Sequence, residues 1–284
     1  MKPQATIALY LLVAVLLLTA GCTGVDHREQ DAAIVVAVTI APEQEFVERV
    51  GGDHVRVVLL VPPGADPHTY EPPPGILADV AGADMYAAVG SGVEFELSWK
   101  DKIAALNPGM LVVDCSRGVD LISTDPHIWV SPRNAKVMVE NICRGLIEVD
   151  PENATDYRRN ADAYREELDA LDAEIADALA RSGVTKIMVY HASWAYFARD
   201  YGLVEVPIES EGKEPSPQRI EHLVRQAEEE GIRVIFASPE HSTRSAEVIA
   251  KEVNGTVVQV SPLAGDYLAN MRRVALAFAE SGGP

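Results

Sequence analysis

Three of the seven histidines stand in settings that suit metal binding. His68 lies in the proline-stiffened run Val61-Pro-Pro-Gly-Ala-Asp-Pro-His-Thr-Tyr-Glu-Pro-Pro-Pro74. Stiff backbone loses less entropy when a side chain is held for a ligand. His127 lies in a second Asp-Pro-His, within Asp125-Pro-His-Ile-Trp-Val-Ser-Pro132. His191 directly follows the apolar run Lys186–Tyr190. Singly each reads as a loop histidine; together they point to a site of three imidazoles. Neutral imidazoles suit Zn²⁺, and also copper, nickel or iron, whereas Mn²⁺ takes more oxygen. The three are far apart in sequence, so the fold has to assemble them. No His-Glu-x-x-His motif and no zinc-finger spacing is present. A metal hydrolase would use the same three histidines plus an open position, with Glu211 or Glu240 as its base, but no catalytic motif accompanies them. His54 at a strand start and His222 in a helix read as structural, and His27 lies in a tether.

The elements that must position these residues alternate between apolar β-branched runs and helical periodicity. Strands are expected over 33–39, 54–61, 85–89 and 110–114, then over 185–190, 203–208, 233–237 and 256–260. Helical stretches fall between them, with 133–149 the last in the first half. Such alternation implies parallel sheets covered on both faces. His68 and His191 follow strands, where open α/β sheets bind their ligands. Between the two halves, Glu152–Arg181 contains neither Gly nor Pro. Its apolar and aromatic residues Ala154, Tyr157, Ala161, Tyr164, Leu168, Leu171, Ile175 and Leu179 recur at helical spacing. About 30 residues at 1.5 Å each make a rod of roughly 45 Å. The fold class expected is therefore α/β: two small parallel-sheet lobes, 33–150 and 183–284, joined by one long connecting helix, 151–182, with the metal site in the cleft.

The chain has 284 residues with 24 Lys plus Arg against 43 Asp plus Glu, a net charge of −19. That excess argues against a nucleic-acid surface, which needs clustered cations. It suits a soluble monomer whose copies repel one another. Three cysteines supply no disulfide framework, and Cys115 and Cys143 read as buried thiols.

Residues 1–21 read as a signal peptide, with Lys2 before the apolar run Ile7–Leu18. Leu18-Thr-Ala-Gly-Cys22 resembles a lipoprotein cleavage site, which makes Cys22 the expected lipidated residue. Residues 22–32 are then a polar tether. The expected protein is exported, anchored to the membrane through lipid, and carries a soluble body.

The motifs Pro67-His-Thr-Tyr-Glu-Pro72, Asp125-Pro-His-Ile-Trp-Val-Ser-Pro132, His191-Ala-Ser-Trp-Ala-Tyr-Phe-Ala198, Glu214-Pro-Ser-Pro217 and Ser261-Pro-Leu-Ala-Gly-Asp-Tyr267 occur in this order. In them the sequence resembles the zinc/manganese solute-binding proteins of metal ABC importers, the cluster A-I binding proteins. The resemblance spans nearly all of the chain beyond the tether. It implies two α/β lobes, a long linking helix, and a metal held in the cleft by His68, His127 and His191. It implies an ABC permease and its ATPase as partners, and no catalytic activity. Members commonly place a fourth ligand, an Asp, just before the Pro-Leu of the last motif; here Ser261 stands there. Water, Glu209, Glu211, Glu240, His241 or Asp266 could take its place. The His- and acid-rich loop of many zinc members is missing, but the third motif carries His191 where manganese members often carry Glu. Zinc is therefore the expected cargo, with a manganese- or iron-specific protein the alternative. A surface adhesin is a further reading that this fold would permit.

Overall fold

The computed structural model describes residues 33–123, 125–209 and 212–282. The signal peptide, Cys22 and the tether lie outside them. The first half contains β1 (Ile34–Val38), α1 (Ala41–Gly51), β2 (Val55–Leu59), α2 (Pro74–Val80), β3 (Met85–Ala88), α3 (Glu94–Leu106), β4 (Leu111–Asp114) and α4 (Pro132–Val149). A 3₁₀ turn, Pro151–Asn153, leads into α5 (Ala154–Ser182). The second half contains β5 (Lys186–Val189), α6 (Ala195–Tyr201), β6 (Val204–Pro207), α7 (Pro217–Glu230), β7 (Val234–Ala237), α8 (Arg244–Glu252), β8 (Thr256–Gln259) and α9 (Tyr267–Glu280).

Each half builds a four-stranded, all-parallel sheet, ordered β2-β1-β3-β4 and β6-β5-β7-β8. The two orders are the same pattern, although the sequences of the halves show no close repeat. In each, the order reverses between the first and third strands, which opens a crevice at their carboxyl ends. His191 lies two residues beyond β5, on one side of the crevice in the second sheet. Helix starts are marked locally: Ser131 accepts the Asn134 N–H at 3.1 Å with Pro132 as first helical residue, and Ser216 with Pro217 repeats the device at α7. Gly145 lets α4 close onto its sheet, because a Cβ there would stand 2.5 Å from Val113 Cγ2.

The long helix has 29 residues and ends at Gly183, whose φ of 69° takes the left-handed turn that stops it. Tyr157, Ala161, Tyr164, Leu168, Leu171, Ile175 and Leu179 form its buried stripe, the set its periodicity predicts. This stripe lies against α1 and α4 on one side and α9 on the other. One apolar core therefore runs from Val36 and Phe46 through Leu171 to Trp194, Phe236 and Phe278. Polar bonds cross between the halves as well. Trp129 donates its indole N–H to the Pro262 carbonyl at 2.7 Å, and Tyr267 its hydroxyl to the Trp129 carbonyl at 2.8 Å. Cys115 and Cys143 are buried free thiols, so no disulfide joins them. Among the described residues no helix is long and apolar enough to cross a membrane.

Candidate metal centre

The fold brings His68, His127 and His191 to one point. Their Nε2 atoms form a near-equilateral triangle, with sides of 3.2 Å (His68–His127), 3.2 Å (His68–His191) and 3.3 Å (His127–His191). A tetrahedral ion with bonds of about 2.0–2.1 Å places its nitrogen ligands about 3.3 Å apart. The triangle thus matches three corners of such a tetrahedron. Among the described residues these three side chains form the cluster of potential ligand atoms close enough to share an ion.

Each ring is held by a carboxylate on its far nitrogen. His68 Nδ1 meets Glu94 Oε2 at 2.5 Å, His127 Nδ1 meets Asp125 Oδ1 at 2.6 Å, and His191 Nδ1 meets Glu209 Oε1 at 2.5 Å. An ionised carboxylate only accepts, so each ring carries its proton on Nδ1 and turns a bare Nε2 lone pair inward. Three lone pairs facing one another repel; a cation between them converts the repulsion into three bonds. This donor set fits a borderline-soft divalent ion.

The environments of the rings differ. Burial holds the His127 imidazolium below its usual range, and the neighbouring His191 and His68 add to that against the pull of Asp125. Burial also acts to lower His191, but the Glu209 hydrogen bond and charge, with Asp66 and Asp125, outweigh it and raise its value. Asp125 is resisted by burial, yet its bonds to His127 and to the Ala195 N–H hold it below the ordinary carboxylate range. The rings open onto a cavity of about 1060 Å³, which Asp66, Glu94, Glu209, Glu214 and His241 also line.

The five candidate fourth ligands divide. The bonded oxygen of Glu209 is committed to the edge of His191 that faces away from the triangle. Glu240 Oε1 accepts the Ser261 hydroxyl at 2.9 Å, and its other oxygen is buried without a partner. Asp266 is exposed and pairs with Arg273 at 3.0 Å. His241 lines the cavity, its ring centroid 4.4 Å from that of His191. Glu211 lies outside the described residues.

Of the two acids that precede histidines, only Asp125 orients a ring. Asp66 caps its own turn instead, accepting the His68 backbone N–H at 2.9 Å and the Thr69 hydroxyl at 3.3 Å. Sequence reasoning did not find Glu94, which reaches His68 from the first turn of α3, 26 residues away. The available signal was its place: an acid a few residues beyond β3, in the same strand-end setting as His191. His54 pairs with Asp156 at 3.2 Å, which supports its structural reading.

Two parallel-sheet lobes that present inward-facing imidazoles from both sides of a crevice define a two-lobed metal-binding protein. Residues 36–281 match the family model described as "ZnuA: Zinc-uptake complex component A periplasmic", and the chain belongs to that family. It is an extracytoplasmic solute-binding protein of an ABC metal-uptake system, not an enzyme. A putative metal-binding protein of Chlamydia muridarum is 31% identical over 252 residues, covering 86% of this chain and 90% of that protein. The iron-binding protein YfeA of Yersinia pestis is 31% identical over 275 residues, covering 91% and 88%. A crystal structure of ZnuA is 40% identical, covers 89% of this chain and 100% of its own, and superposes with a TM-score of 0.86. A zinc-bound ZnuA deletion mutant, also 40% identical, gives 0.84 over 89% of this chain and 99% of its own.

Proposed function

We propose that this protein captures one zinc ion on His68, His127 and His191 and presents it to an ABC permease and its ATPase. The observation that carries the reading is the triangle of Nε2 atoms, each ring turned inward by a carboxylate on Nδ1. An all-nitrogen triad favours zinc over manganese, which prefers oxygen donors. The zinc-bound relative supports the same choice. The body works as a monomer, tethered outside the cytoplasmic membrane by lipid on Cys22.

The test is elemental analysis of the purified protein, followed by competition titration with zinc, manganese and iron(II), wild type against His68→Ala. One zinc per chain is expected, held in preference to the other two metals. The variant should lose about a hundredfold or more, beyond the 10- to 100-fold that loss of an outer partner costs. Preference for manganese or iron would keep the transport role and reassign the cargo. Equal zinc affinity in wild type and His68→Ala would sink the three-histidine site.

A further inference from the structure

Three imidazoles leave a tetrahedral ion one position short. Among the described residues, each carboxylate that lines the cavity has at least one oxygen in a hydrogen bond. Glu94, Asp125 and Glu209 hold the far nitrogens of the triad, Asp66 caps the His68 turn, and Glu214 accepts the Ser245 hydroxyl at 2.6 Å. His241 is different. It sits beyond the carboxyl end of β7, across the second sheet's crevice from His191. Its ring lies over His191, with centroids 4.4 Å apart and planes at 41°, and it faces the cavity. Among the described residues its half-buried ring finds no hydrogen-bond partner.

The backbone beneath it is held. The His241 N–H donates to the Ser238 carbonyl at 3.2 Å, Pro239 stiffens the turn, and Glu240 accepts the Ser261 hydroxyl at 2.9 Å. Ser261 in turn accepts the Leu263 N–H at 3.0 Å, so its hydroxyl is engaged on both sides. The turn is thus anchored, and it carries an imidazole without a hydrogen-bond partner beside the triad. The ring now stands outside the tight cluster of the three Nε2 atoms, so binding requires that rotation.

We propose that His241 is the fourth protein ligand: on metal binding it leaves its place over His191 and closes the coordination sphere with a fourth imidazole. The proposal rests on the reading that His68, His127 and His191 hold zinc. Four imidazoles complete a tetrahedron, which suits zinc and disfavours ions that require six oxygen-rich positions. The rotation also gives the ion a reversible latch at the open end of the site.

The test is X-ray absorption fine structure on the zinc-loaded protein, with optical spectra of the cobalt(II)-substituted form. Wild type should show four imidazoles around zinc and the intense visible bands of tetrahedral cobalt(II). His241→Ala should show three imidazoles plus an oxygen, and should release zinc to a chelator at least about tenfold faster, the lower end of what loss of a supporting partner costs. Three imidazoles in wild type as well as in the variant would overturn the proposal, and an oxygen in the fourth place of wild type does so directly. His68→Ala separates the two readings. If it loses zinc while the imidazole count ignores His241, only the fourth ligand fails; if it binds as wild type does, the triad itself fails.

Discussion

The carboxylate of Asp125 accepts the backbone N–H of Ala195 at 3.1 Å through Oδ2, while its Oδ1 takes the Nδ1–H of His127 at 2.6 Å. One buried side chain thus orients the His127 ring in the first lobe and holds the first turn of α6 in the second. Tyr196, the next residue, donates its hydroxyl to the Asp125 carbonyl at 3.1 Å and accepts the Ile122 N–H at 2.8 Å. Charge-assisted bonds of this kind are strong, and breaking one in a buried place leaves a costly orphan.

The lobes are therefore latched beside the three histidines as well as along α5. The overall dimensions should hardly change on metal binding, and the movement should be confined to side chains and loops. Small-angle X-ray scattering with and without zinc checks this, with equal radii of gyration expected. A contraction of several ångströms would show a hinge that the shared core argues against.

Replacing Asp125 by Asn keeps the shape and removes the charge. The amide can turn an N–H towards His127 and lose control of its tautomer. Zinc affinity should fall about 10- to 100-fold, and the protein should melt at a lower temperature because the Ala195 contact weakens. Competition titration and calorimetry read the two effects separately. A stability loss with intact affinity would mean that Asp125 serves only the lobe contact.

Glu209 raises the His191 value, and with Nδ1 already protonated the added proton lands on Nε2, the atom that faces the triangle. Zinc affinity should therefore fall as pH drops through the raised His191 value, above the ordinary histidine range of about 6.5. In Glu209→Gln burial is opposed only by the charges of Asp66 and Asp125. The acid limb should move to lower pH, while affinity at about pH 8 drops roughly 10- to 100-fold. Titrations between about pH 5.5 and 8 measure both. An acid limb that stays in place would assign the proton to another group.

Burial pushes Glu205 up to about 7, although it accepts the N–H groups of Ser193 at 3.0 Å and Trp194 at 2.9 Å. In the unfolded chain this carboxyl loses its proton near its ordinary value of 4.5. Between that value and about 7 the folded protein binds the extra proton, so this group's contribution to stability falls as pH rises. The loss is complete above the folded value and is on the order of 3 kcal/mol. Glu205→Gln keeps an acceptor and cannot ionise. The variant should be more stable than wild type at about pH 8, with a flatter dependence down to about pH 5. Parallel curves for the two proteins would contradict this assignment.

The eight strands, the long helix and the three converging histidines were legible in the sequence, because each leaves a local mark. Apolar β-branched runs bury on both faces of a parallel sheet, and the stripe from Tyr157 to Leu179 follows helical geometry. The prolines around His68 and His127 and the strand-end place of His191 mark loops that the backbone itself aims. What the tertiary structure alone decided is who partners whom. Two acids precede histidines by two residues with the same intervening proline. Yet Asp125 binds the His127 ring while Asp66 binds only the turn, because Glu94 has come from α3 to take the His68 nitrogen. The pairing of Glu209 with His191, the closeness of His241 to that ring, and the bond from Ser261 to Glu240 arise the same way. Periodicity and loop chemistry are properties of neighbours along the chain. Which carboxylate reaches which imidazole depends on where separate strands end in space, and only the packing of the two sheets about one helix settles that.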